Sequence, residues 1–411
     1  MKIDPHRTIC ALTSVLDFVG IDELQHGKRV ALMAEAIARQ LGWSDSRQAY
    51  MFYAGMLHDC GVSRAAEHRH LTDSLLWDGA EAHCERGASY LLDCPPLADF
   101  AATIRWHHTD WATLARQPLE DADKLAANLI FLADRVDVLQ APSLAAVSTD
   151  RDVLCIRGEI IATIRAHAGG LFEPGLVEAF ATVAAREAFW LAMDPYYLQE
   201  YLENYPHPAP VRELENQDVL SLARLFARVV DAKSHFTHEH SLRVAAIARH
   251  LYALTGAGED ALDMMEMAGL LHDIGKLRVP DEIIDKPGGL TPAERAVICR
   301  HSYDTYRILS RIFPETPIAR WAASHHENLL GTGYPFGLGA AELGLEPRIL
   351  SVADVFQALS QNRPYRDRLD APTVLAHLGR MADEGQLDPV IVALAEGQAA
   401  ALYALAIGTS V

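Results

Sequence analysis

The chain has no excess of basic residues, no closely set cysteine pairs, no long uncharged apolar run and few alternating apolar–polar stretches. Each absence excludes a class. With 36 Lys and Arg against 55 Asp and Glu, the net charge of −19 leaves no basic surface for wrapping a nucleic acid polymer. A small anionic substrate survives this test, because metal ions and a few local cations outweigh the global field. The six cysteines, Cys10, Cys60, Cys84, Cys94, Cys155 and Cys299, lack disulfide spacing and read as reduced thiols. No apolar run reaches membrane-spanning length, and the start Met1-Lys2-Ile3-Asp4-Pro5 has no signal-peptide pattern. The expected setting is therefore the cytoplasm, with no membrane contact. The dominant hydrophobic period of about 3.6 residues predicts an all-α fold.

What is present is a repeat. In the first half His26 precedes Val30, Met33, Ala34, Ile37 and Leu41 at helical spacing. His58-Asp59 ends an apolar segment, and His83, the doublet His107-His108 and Asp134 follow. The second half runs His240, His272-Asp273, His301, His325-His326 and Asp354. The first His and the His-Asp pair stand 32 residues apart in both halves, at 26 and 58 and at 240 and 272. The third His and the doublet stand 24 apart in both, at 83 and 107 and at 301 and 325. From doublet to final Asp the intervals are 26 and 28, at 108 to 134 and 326 to 354. Phe172-Glu173-Pro174 even matches Leu387-Asp388-Pro389. A tandem duplication fits the 411-residue length, giving two helical domains of about 200 residues each. The expected division is 1–205 and 206–411, with the linker in Tyr205-Pro206-His207-Pro208-Ala209-Pro210, whose alternate prolines forbid a helix. Segments 288–292 and 329–344 read as the main loops.

Five imidazoles and two carboxylates in the second half exceed the needs of one ion. Two ions about 3.5–4 Å apart, bridged by Asp273, would use them all. Mixed His and carboxylate ligands suit Fe, Mn or Zn over Mg or Ca. A hydroxide held between such ions attacks a phosphodiester at neutral pH. Lys276, one turn after His272, is expected to face the same pocket and meet a phosphate oxygen. A lone buried His is more often a core residue than a ligand. Core packing, however, conserves apolar pattern between duplicates, not seven polar residues in order. Cys60 and Cys84 flank metal-type residues and are expected as small buried core groups rather than redox sensors.

Residues 215–395 resemble the HD-GYP family of metal-dependent phosphohydrolases. The carrying stretches are His240-Ser241-Leu242-Arg243-Val244, His272-Asp273-Ile274-Gly275-Lys276, and Val279 to Thr291. They continue with His325-His326-Glu327, Gly331-Thr332-Gly333-Tyr334-Pro335, Asp354 and Arg363-Pro364-Tyr365-Arg366. The resemblance implies two tandem helical HD-type domains, the second a phosphodiesterase with an iron or manganese centre. Its substrate would be a cyclic dinucleotide, cyclic di-GMP first and 3′3′-cyclic GMP-AMP next, opened to the linear form. It implies His240, His272, Asp273, His301, His325, His326 and Asp354 as metal ligands, and Asp273 and Lys276 as catalytic. Lys276, Arg363 and Arg366 would hold phosphates and Tyr334 a base. A homodimer, or contact with a cyclase or signalling protein through the GYP loop, is the partner expectation.

Three positions depart from the family pattern. Phe236 replaces a glutamate that trinuclear members place before the first histidine, so two metals are expected. Leu330 and Gln357 replace acidic residues; both bear on how a guanine edge is read and leave base preference open. They also motivate a second reading, a catalytically weak receptor signalling through a partner. The first half keeps His26, His58, Asp59, His83, His107, His108 and Asp134 as a second metal set. It has Val62 in place of the lysine and no Gly-Tyr-Pro loop. It reads as a degenerate HD domain with a packing or regulatory role, or a phosphohydrolase for another nucleotide.

Overall fold

The computed structural model describes residues 25–62, 79–144, 152–205, 214–233, 239–362 and 367–409, with His6, Thr8, Ile9, Cys10, Thr13 and Glu67. The linker expected at 206–210, Phe236, Arg363 and Arg366 lie outside the described residues. Among the described residues every regular element is helical, and the β-bridges Ala168–Phe172 and Leu330–Gly339 are isolated. The all-α expectation holds. The chain forms two compact units, 4–213 and 214–411.

The first unit contains α1 (His26–Gln40), α2 (Asp45–Leu57), α3 (Glu81–Leu92), α4 (Ala101–Trp106), α5 (Asp121–Leu144), α6 (Val153–Ala166), α7 (Pro174–Ala184) and α8 (Pro195–Glu203). The second contains α9 (Asn216–Lys233), α10 (His240–Ala253), α11 (Glu259–Leu271), α12 (Pro292–Ile312), α13 (Ile318–Ala323), α14 (Leu345–Leu359), α15 (Ala371–Asp383), α16 (Pro389–Gly397) and α17 (Ala399–Ile407). A short 3₁₀ turn, Ile274–Arg278, follows α11. In each unit the helix that opens on a histidine packs on the next one, α1 on α2 and α10 on α11. The helix bearing the last aspartate, α5 or α14, then packs on the first. No single described helix is long and apolar enough to cross a membrane.

Local chemistry explains the helix limits and contacts. Val30, Met33, Ala34 and Ile37 of α1, and Val244, Ile247, Ala248 and Leu251 of α10, are wholly buried, the stripe that helical spacing requires. The Ser44 hydroxyl caps α2 by accepting from the Arg47 amide at 3.3 Å, and Thr291 with Glu294 forms a capping box on α12. Close helix crossing depends on a glycine. A Cβ on Gly269 would lie 2.6 Å from Ala245 Cα, and one on Gly55 would lie 2.5 Å from Ala31 Cα. Both α1 and α10 are entered through a non-glycine residue in the left-handed region, Gln25 at φ 83° and Glu239 at φ 64°. Such a residue costs about 1–2 kcal/mol and persists where surrounding structure fixes it. At α10 the fixing group is Asp231 of α9. Its carboxylate accepts from the Ser241 amide at 3.0 Å and the Ser241 hydroxyl at 2.8 Å, setting the start of the helix at His240.

Candidate metal centre

The second unit brings its seven metal-type residues together around Asp273. The two carboxylate oxygens face different partners. Oδ2 lies 3.8 Å from His240 Nε2 and 3.3 Å from His272 Nε2. Oδ1 lies 3.3 Å from His301 Nε2 and 3.8 Å from His325 Nε2. Asp354 Oδ1 closes the first group, 3.3 Å from His240 Nε2 and 3.9 Å from His272 Nε2. His326 closes the second with His301 and His325, their ligand atoms within 4.8 Å of one another. Asp273 thus stands between two clusters.

The rings are aimed by their other nitrogens. His272, His301 and His325 each donate from Nδ1 to the carbonyl three residues back, Gly269, Ile298 and Ala322, at 2.7, 2.7 and 2.6 Å. A carbonyl only accepts, so each Nδ1 carries a proton and Nε2 is the atom turned to the centre. His272 Nε2, His325 Nε2 and Asp273 Oδ1 are buried and make no hydrogen bond. Buried donor and acceptor atoms rarely go unmatched, so this set fits a bound cation.

Charge in the protein alone agrees for three of the histidines. Burial lowers His301 to about 3 and His326 to about 4, and holds His325 well below its ordinary value. These imidazoles are neutral, the form that ligates metal. Burial opposes ionisation of Asp273, but His272 and then Lys276 outweigh it and keep the carboxylate charged. Burial likewise opposes a proton on His272, yet Asp273 and then Asp354 raise it to about 9. Lys276 Nζ sits 2.5 Å from Asp273 Oδ2 and is about one-third exposed, so it faces the pocket as its spacing predicts.

The turn carrying Lys276 is fixed by its surroundings. A Cβ on Gly275 would fall 2.1 Å from the His301 carbonyl oxygen, so only glycine lets the turn pass α12. The Gly275 amide donates to Thr305 Oγ1, and buried Lys233 donates to the Leu277 carbonyl at 2.8 Å.

Tyr334 lies over the second cluster, its ring 4.7 Å from His326 at 35° and 6.2 Å from His301 at 82°. The loop that carries it is organised by Glu327, a buried carboxylate that sequence reading passes over as a motif letter. It accepts from the amides of Phe336 at 2.6 Å, Gly337 at 3.1 Å and Leu338 at 3.0 Å. Three consecutive amides turned onto the residue after the histidine doublet tie loop to ligands. Leu330 is 62% exposed on this loop. Gln357 is not at a base-reading surface as expected. It is buried, and its Oε1 accepts from His240 Nδ1 at 2.5 Å.

The first unit repeats the centre but not its margins. Asp59 Oδ2 lies 3.4 Å from His58 Nε2 and 3.8 Å from His26 Nε2, while Oδ1 lies 3.6 Å from His83 Nε2 and 3.9 Å from His107 Nε2. Asp134 is 3.4 Å from His26 and 3.6 Å from His108. Asp59 Oδ1 makes no hydrogen bond, the same mark of a cation position. Val62 is buried where the lysine would stand. The doublet is followed by a short helical turn, Trp111–Leu114, capped by Asp110. Buried Arg135 clamps Asp134 Oδ2 at 2.7 and 3.1 Å, a fixed charge with no counterpart at Val355. Cys60 and Cys84 are buried core groups, Cys84 Sγ 3.6 Å from His107 Nδ1.

The chain resembles known proteins in sequence and fold. HD-domain family models match residues 24–139 and 224–391. The chain is 37% identical over 412 residues to 3′3′-cGAMP-specific phosphodiesterase 1 of Vibrio cholerae, covering 100% of this chain and 95% of that protein. It is 38% identical over 190 residues to the cyclic di-GMP phosphodiesterase response regulator RpfG of Xanthomonas campestris, covering 44% of this chain and 50% of that protein. The crystal structure of a cyclic GMP-AMP specific phosphodiesterase from V. cholerae shares the fold, with a TM-score of 0.64, 24% identity and 98% of each chain covered.

Proposed function

Because the chain belongs to the HD-GYP family of metal-dependent cyclic-dinucleotide phosphodiesterases, we propose that its second unit hydrolyses 3′3′-cyclic GMP-AMP at the Asp273 centre. The observation that carries this is the split of Asp273, one oxygen to each histidine cluster, with Lys276 on the same carboxylate. The preference for cyclic GMP-AMP over cyclic di-GMP, the reverse of the order the motifs alone suggest, is supported by likeness along the whole chain. The relative matched from end to end is named for cyclic GMP-AMP, whereas the cyclic di-GMP relative aligns over 44% of this chain. The receptor reading is not favoured, since these relatives are named as phosphodiesterases.

In this reading His240, His272, Asp273 and Asp354 would hold one divalent ion, and His301, His325, His326 and Asp273 would hold a second, iron or manganese. Bound there, the ions supply Lewis-acid charge and a nucleophile derived from water. The chain's own groups do the rest. Lys276, about one-third exposed beside Asp273, would donate to a phosphate oxygen. Tyr334 offers a stacking face to a base, and Arg363 and Arg366 meet the phosphates. The domains divide as 1–205 and 206–411. The first is a degenerate HD domain that keeps a metal set and regulates or dimerises rather than opening the cyclic dinucleotide. We place the protein in the cytoplasm, where the GYP loop is free to meet a second copy, a cyclase or a signalling protein.

The test is a product assay of the full chain, loaded anaerobically with Fe²⁺ or Mn²⁺, across cyclic GMP-AMP, cyclic di-GMP and cyclic di-AMP. Linear pApG or pGpA should form fastest, and His272→Ala with Asp273→Ala should abolish it. No turnover of any of the three would overturn the reading.

A further inference from the structure

The two units hold their first histidine differently. In the first, His26 Nδ1 donates to Asp137 Oδ2 at 2.7 Å. Asp137 is fully buried and also accepts from Arg29 at 2.7 and 2.8 Å and from Gln140 at 2.6 Å. In the second, the residue three after Asp354 is Gln357, and His240 Nδ1 meets an amide oxygen. The supporting residues have changed with it. Arg243, three residues after His240 as Arg29 is after His26, turns outward to an ion pair with Glu239 and is about one-third exposed. Ser360, in the place of Gln140, bonds the Phe356 carbonyl of its own helix. A whole carboxylate network behind the first histidine has been exchanged for one neutral acceptor.

A carboxylate behind a ligating imidazole raises its basicity and tightens the metal, and losing such a partner costs about 10–100-fold in affinity. We propose that Gln357 is a positioning residue that deliberately under-supplies His240, making the second-unit centre the more electrophilic and more readily exchanged of the two metal sets. It holds the ring by geometry, at 2.5 Å, without feeding it charge. The first-unit set, backed by Asp137 and Arg29, is the tighter and less reactive one. This inference rests on His240 and His26 being ligands.

The experiment is Mn²⁺ binding to the full chain, followed by the paramagnetic resonance signal of the free ion, without any assay of turnover. Three variants divide the outcomes. Gln357→Glu, of equal size, should tighten the second-unit set by about 10-fold, and Gln357→Leu should weaken it by about as much. Asp137→Asn should weaken the first-unit set and leave the other alone. Structural damage would weaken binding in both Gln357 variants, so opposite directions are the signature. If both weaken, or neither shifts more than about twofold against the 10–100-fold scale of such partners, the inference fails while the functional reading stands. If the wild type takes up no Mn²⁺ in the second unit, the ligand assignment fails and the functional reading with it. Should the Leu variant not fold, tightening in the isosteric Glu variant supports the inference and its absence overturns it.

Discussion

Lys276 and the histidines around Asp273 have measurable consequences as single residues. Lys276 touches no metal-type atom except Asp273 Oδ2, so Lys276→Met should leave metal content unchanged. A charge-assisted bond to phosphate is worth about 1.5–3 kcal/mol, which predicts a fall of roughly 10–100-fold in kcat/KM. Steady-state kinetics beside metal analysis separates the two effects. The buried imidazoles set the response of the metal-free protein to acid. His301 and His326, held to about 3 and about 4 by burial, bind protons in the unfolded chain below about pH 6.5 but not in the folded one. The unfolded state therefore gains protons first, and stability falls as pH drops from 6.5 toward 4. Each contributes on the order of 1–2 kcal/mol between pH 7 and 5. His272, raised to about 9, has the opposite sign: its stabilisation is fully present below about pH 6.5 and is given up as pH rises from there through about 9. Chemical denaturation of the metal-free chain at pH 7 and pH 5 should show the net loss, and equal midpoints would contradict it.

Among elements, the turn after α11 is tightly constrained. Gly275→Ala places a methyl against the His301 carbonyl at 2.1 Å, a backbone atom that cannot swing aside. Overpacking of this kind costs about 1–3 kcal/mol. Because the clash pushes the Lys276 turn off α12, the variant should also lose metal, seen as a lower melting midpoint with reduced metal content. Much of this was legible in advance. Spacing found α1, α10 and the two matched ligand sets, because ligand sets and helix stripes leave periodic marks, while glycine and proline marked the loops at 288–292 and 329–344. What spacing could not show is who stands behind a ligand. Asp231, Lys233, Glu327 and Gln357 act through hydrogen bonds across elements, with no fixed offset along the chain. Asp137 offered one available signal: it occupies the position of Gln357 counted from Asp134, and comparing the halves there would have tied both to the first histidine.

On the scale of the whole chain, two similar clusters carry different margins, so their roles should separate. His58→Ala with Asp59→Ala should remove metal from the first unit and leave cyclic-dinucleotide hydrolysis within about threefold, well short of the tenfold that each 1.36 kcal/mol of barrier represents. Loss of turnover to the level of the His272→Ala, Asp273→Ala variant would mean that the first cluster takes part in the reaction. In the second unit, α11 and α13 both run out at the centre, their end carbonyls spent on His272 and His325. Helix C-termini carry negative potential, and Asp273 and Asp354 add to it, with Lys276 and the protonated His272 offsetting the two carboxylates. The side-chain charges of the metal-free pocket therefore come close to balance at neutral pH. A cation entering there would displace the His272 proton, so metal loading of the second unit should acidify a weakly buffered solution.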